Sequence, residues 1–77
     1  MDKNQFVKNF ANQFEDTDQS VFTLETEFRN IDEWSSLVHL SIILMLDKEY
    51  GITIDEDDFR NFRTVGDIAD YIEKSGK

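Results

Sequence analysis

The sequence predicts an all-α fold: a four-helix bundle of three main helices plus one short helix, with a long loop between helices 1 and 2. Three observations predict it. Phe6, Phe10 and Phe14 recur every fourth residue. A strongly apolar run from Leu37 to Leu46 leads into Tyr50 and Gly51. Thr64 and Asp67 form a T-x-x-D pair ahead of a further apolar periodicity. "GITI" is the single short stretch that reads as a strand, and nothing else in the chain offers it a partner.

The first helix follows from the phenylalanine stripe, which Val7 and Ala11 widen, and Asp2 with Gln5 resembles a capping pair at its start. It ends at "EDTDQS", residues 15 to 20, a polar stretch with no evident capping role. From there to Trp34 no period holds, yet Val21, Phe22, Leu24, Phe28 and Ile31 are scattered through the segment. A solvated linker would not carry so many large apolar groups. An ordered loop pinned by those side chains is expected, and loops of this length are often functional.

The second helix reads from Ser35–Ser36 to Gly51, a glycine placed where a left-handed C-terminal residue belongs. Leu37, Leu40, Ile43, Leu44 and Tyr50 fit helical spacing, and Val38, Ile42, Met45 and Leu46 broaden the stripe almost to the full circumference. Such a helix is either central in the bundle or leaves an apolar strip exposed for a partner. Ile52 and Ile54 are expected to tuck inward from a connecting segment, and "DEDDFRNF" to form a short helical turn with Phe59 and Phe62 facing in. The last helix should bury Val65, Ile68, Ala69 and Ile72 and fray at the tail "KSGK".

A chain of 77 residues, read here as one domain (1–77), is near the size at which a core is only just sufficient. It holds neither Pro nor Cys, so no disulfide reinforces that core, no cysteine metal site exists, and a reducing compartment suits it. Eight Lys and Arg against seventeen Asp and Glu give a net charge of −9. An acidic surface repels phosphate backbones and anionic lipids, which argues against nucleic acid and membrane partners and favours basic protein surfaces. Acidity can also serve solubility alone. No apolar secretory segment follows Met1, and no stretch is long enough to span a bilayer, so a cytoplasmic protein is expected.

Enzyme and metal chemistry find little support. His39 is the only histidine and lies at i, i+3 from Ser36, but no third orienting group completes a nucleophilic site. "DEDD" at 55 to 58 resembles the start of a calcium loop, yet Arg60 stands where that loop needs glycine. No metal site is expected. The serine pair carries more. One hydroxyl suffices as an N-cap, and Ser35 is the better placed. Ser36 then stands at the first helical position, where unpaired N–H groups and the positive helix end would favour an attached phosphodiester by about 0.3–1 kcal/mol.

Three stretches resemble the acyl carrier protein family. "EWSSL" is similar to the family's Asp-Ser-Leu signature, often preceded by Trp, through Trp34, Ser36 and Leu37. "SSLVHLSIILMLDKEYGITI" follows the family's helix into its Glu-Phe/Tyr-Gly-Ile turn, and "TVGDIADYI" resembles its last helix. "LETEFRNIDEW", residues 24 to 34, resembles the approach loop. The resemblance implies a carrier-protein bundle, not an enzyme, whose Ser36 hydroxyl receives covalent 4′-phosphopantetheine from a phosphopantetheinyl transferase. Acyl groups would ride as thioesters on the cofactor's thiol, loaded by a ligase or acyltransferase and passed to condensing enzymes of fatty acid, polyketide or other acyl biosynthesis. It further implies a monomer, with Trp34, Leu37, Val38, Ser41, Asp47 and Glu49 as docking positions. Leu40, Ile43, Ile54, Phe62 and Ile68 would line an acyl groove.

The departures bear on partners. Ser35 replaces the family's Asp, Val38 and Ser41 replace acids of the second helix, and Lys48 replaces another. The upper face of that helix is therefore expected to be more apolar than usual. Acidic clusters at 15 to 18, 25 to 33 and 55 to 58 would supply electrostatic steering instead. Two other readings stay open: an aminoacyl or peptidyl carrier loaded by an adenylating ligase, and an unmodified helical interaction module.

Overall fold

The computed structural model describes residues 1–75. It contains α1 (Lys3–Ala11), α2 (Ser36–Tyr50), α3 (Glu56–Arg60) and α4 (Val65–Lys74), with 3₁₀ turns at Gln19–Val21 and Phe28–Asn30. The all-helical expectation holds: among the described residues β pairing is confined to one antiparallel bridge between Glu27 and Thr64. Lys74 closes α4 and Ser75 caps it; the rest of the tail expected to fray, residues 76 and 77, lies outside the described residues.

The Asp2 carboxylate accepts from the Asn4 and Gln5 amides and starts α1. The Gln5 side chain does not reach back to complete a box; it donates to Asn9 at 3.0 Å. The helix ends at Ala11, one turn short of the phenylalanine stripe. Phe14 is nevertheless buried, because the chain turns tightly, with Phe14 N–H donating to Ala11 O at 3.0 Å. Phe10 packs on Phe14, Phe22 and Phe28 with ring centroids 5.7, 6.2 and 5.7 Å apart.

The long loop is ordered by specific bonds as well as by its apolar side chains. Phe22 and Phe28 are buried, and Leu24 and Ile31 pack against the core. Val21 does not pin the loop and is half exposed. The polar stretch does cap something: Asp18 accepts from the Ser20 amide and opens the first 3₁₀ turn. Farther along, the chain is tied to the start of α4, where Val65 N–H donates to Thr26 O and Gly66 N–H to Leu24 O at 2.8 Å. A Cβ at Gly66 would meet that Leu24 oxygen at 2.8 Å, so this close approach requires glycine.

α2 takes the second of the two outcomes expected for it and leaves an apolar strip exposed. Val38, Ile42, Met45 and Leu46 face the core, whereas Leu37, Leu40 and Leu44 are 77, 53 and 60 % exposed. An almost all-apolar helix has no amphipathic period to choose its own orientation, so packing against α1 and the rest of the core chooses it. Gly51 ends the helix at φ 64°, as expected, and Ile52 N–H reaches back to Leu46 O at 3.2 Å. Ile52, Ile54 and Phe59 are buried and Phe62 packs on the core. α4 opens with the Thr64–Asp67 capping box and buries Val65, Ile68, Ala69 and Ile72. Lys3 holds α1 to α4 through Asp70 and Glu73 at 3.3 and 3.5 Å. No helix among the described residues is long and apolar enough to cross a membrane.

Candidate functional site

The site lies where the long loop delivers the chain into α2. Glu33 fixes that delivery, because its carboxylate accepts from the Glu15 and Asp16 amides and from the Thr17 hydroxyl, the last at 2.6 Å. The Thr17 hydroxyl and these amides hold the Glu33 carboxyl below the usual carboxylate range. Trp34 follows, half-buried, with ring centroids 5.0 Å from Phe28 and 6.2 Å from Phe14 and stacked on Phe59. It wedges between loop and core and keeps only part of its ring toward solvent, at the edge of the site.

Ser35 has extended backbone geometry, and its Oγ accepts from the Val38 amide at 3.3 Å. Its carbonyl accepts from His39 N–H at 2.9 Å, the first intrahelical bond. Ser36 is the first helical residue, exposed, and takes no part in the cap. The Ser36 and Leu37 amides lie at a helix end, where backbone donors have no intrahelical acceptor. No acidic residue occupies the first turn. An exposed hydroxyl among unpaired N–H donors, without a carboxylate in the same turn, fits an attached phosphate.

Beside this hydroxyl is an open depression of about 630 Å³ lined by Trp34, Ser35, Ser36, His39, Leu40 and Glu56. His39 lies against Phe59, with ring centroids 4.6 Å apart, and its Nε2 is 3.4 Å from Glu56 Oε1. The pair is at ion-pair distance but out of line for a hydrogen bond, so the buried Nε2 has no hydrogen-bond partner among the described residues. Sequence reasoning missed Glu56, since only the fold brings α3 beside α2. No group of acids and imidazole suited to a metal occurs among the described residues.

The remaining candidates are not gathered as expected. Val38 is buried in the core and cannot dock a partner. Leu37, Asp47 and Glu49 are exposed and Ser41 is partly so. Among the groove candidates, Ile54 and Ile68 are closed within the core, Ile43 and Phe62 pack against it, and Leu40 stands outside on the rim of the depression. These five therefore border no single open space: the inward ones are packed in or against the core and α2 turns Leu40 to solvent. The exposed leucine that sequence reasoning missed is Leu44; the near-uniform apolarity of its helix was the signal, but not the direction.

The family model described as a phosphopantetheine attachment site matches residues 5–72. Curated relatives include an acyl carrier protein of Exiguobacterium sibiricum, 36% identical over 56 residues, covering 73% of this chain and 71% of that one. Another, an acyl carrier protein of Phytoplasma australiense, is 38% identical over 58 residues, covering 75% and 76%. No solved structure matches. The chain belongs to the phosphopantetheine-attachment family: it is a carrier, not an enzyme, and its cofactor is covalent 4′-phosphopantetheine.

Proposed function

We propose that residues 1–77 form one acyl carrier domain of the cytoplasm, with the cofactor attached at Ser36. The observation that carries this reading is the division of labour at the start of α2. Ser35 Oγ does the capping, which leaves the Ser36 hydroxyl exposed and without structural duty. In the attachment step Ser36 Oγ displaces the nucleotide phosphate of a pantetheine-bearing pyrophosphate donor. The O–P bond to serine forms as the donor's P–O–P linkage breaks, the nucleotide phosphate leaves, and the serine proton passes to a base of the transferase. The amides at the helix end favour the phosphate that stays. When bound, the arm supplies a thiol on which acyl groups are held as thioesters. The chain's own contribution is to present and steer: weak, reversible docking suffices because tethering raises the local concentration of the cargo.

Partners, beginning with a phosphopantetheinyl transferase and continuing with loading and condensing enzymes, would dock on the outer side of α2. There Leu37, Leu40 and Leu44 form an apolar strip, with Ser41, Asp47 and Glu49 beside it. The curated relatives' names support acyl cargo. Loading assays with fatty acids and amino acids separate an acyl from an aminoacyl carrier. The attachment is tested by intact mass after coexpression with a broad-specificity transferase. The wild type should gain one phosphopantetheine, Ser36→Ala should gain none, and Ser35→Ala should still gain it while losing about 0.5–2 kcal/mol of stability with its cap. Modification of Ser36→Ala together with loss in Ser35→Ala would move the site by one residue.

A further inference from the structure

We propose that the depression beside Ser36 seats the first, pantoyl segment of the arm, with His39 Nε2–H as its hydrogen-bond donor and Trp34 and Leu40 as its apolar walls. This rests on attachment at Ser36. Ser36 and His39 are one helical turn apart, and both border the same open space as Trp34, Leu40 and Glu56. Its volume of about 630 Å³ lies within the range of small-ligand sites.

The polar contact in this space is unsatisfied. His39 Nε2 is buried and has no hydrogen-bond partner among the described residues; Glu56 Oε1, at ion-pair distance, is 3.4 Å away and misaligned. A carboxylate can only accept, so the proton is favoured on Nε2 and the ring is left as a donor without an acceptor. A buried donor in that state is destabilising until an acceptor reaches it. Glu56 covers the nitrogen loosely, because its side chain is 76% exposed and free to swing aside.

The chemistry of the depression selects which part of the arm enters. The anionic phosphate is disfavoured beside the Glu56 carboxylate and stays at the amide-rich helix end. The pantoyl segment comes next along the arm and is neutral. It carries two geminal methyls, which suit Trp34 and Leu40, and a hydroxyl and an amide carbonyl, either of which can accept from Nε2–H. Because the segment is tethered at the rim, even weak contacts there are populated.

The test is NMR of the full chain in apo and holo forms, with peptide mass mapping of the arm. His39 and Trp34 are the only His and Trp in the chain, so their ring signals are unambiguous. Attachment should shift the His39 Nε2 resonance and give NOEs from the geminal methyls to Trp34 and Leu40. His39→Phe keeps a ring against Phe59 and should lose those NOEs. Glu56→Ala, on an exposed side chain, should strengthen them. Arm mapped to Ser36 with unchanged His39 and Trp34 signals and no NOEs overturns the seat alone, as do weakened NOEs in Glu56→Ala. Arm mapped elsewhere, or absent, overturns the attachment reading itself.

Discussion

Asp67 holds two backbone amides at once, accepting from Arg63 N–H at 2.8 Å and Thr64 N–H at 3.0 Å. The Arg63 and Thr64 amides keep its carboxyl below the ordinary value. A carboxyl depressed in the folded state stabilises fully above the unfolded value, near pH 3.9, and loses that contribution as pH falls through the folded value. Glu33, depressed by Thr17 and neighbouring amides, acts in the same direction. Thermal melts on acidification below about pH 5 should therefore fall steadily for the wild type. Asp67→Asn should melt lower at neutral pH and show a flatter acid slope; a slope matching the wild type would remove Asp67 from the account. At this scale much was legible. The Thr64–Asp67 spacing reads directly as a capping box because both partners lie within one turn. Glu33 was not legible, because the groups that donate to it lie 16 to 18 residues earlier in the chain.

α2 is the element in which pattern and packing part company. Its period offers several apolar stripes, and only the neighbouring helices decide that Val38, Ile42, Met45 and Leu46 are inside. The strip left outside gives a prediction at this scale. Leu40→Lys and Leu44→Lys replace side chains that are 53 and 60 % exposed, so stability should change by no more than about 0.5 kcal/mol. Docking should suffer much more: if the strip is the contact centre, each change costs upwards of about 1 kcal/mol, seen as a several-fold fall in affinity for the transferase in titration calorimetry. Unaltered affinity in both variants would place docking on another face. α4 behaves oppositely to α2. Its polar and apolar residues alternate with a clear helical period, so its amino-acid pattern alone marks the face it buries.

For the whole molecule, the division between an apolar core and a charged surface is clean. Among the described residues no polar or charged residue is buried as a whole, although the single atom His39 Nε2 is enclosed, so the acidic groups of this chain of net charge −9 lie on the outside. That field should act on encounter rather than on the bound complex. Association with the transferase, followed by stopped flow, should slow by about tenfold or more between low salt and high salt, with dissociation changing far less. Equal effects on both rates would indicate that the charges sit within the contact instead of steering toward it.

The number and order of helices, the caps of α2 and α4, the left-handed Gly51 and the pair of serines at the head of α2 were determined by the sequence alone, because each depends on interactions within a turn or two. The buried side of α2, the wedge made by Trp34, the anchoring of the loop through Glu33 and the meeting of His39 with Glu56 were decided only by the tertiary structure. Those contacts join residues far apart in the chain, and a periodic pattern carries no information about which neighbours will arrive.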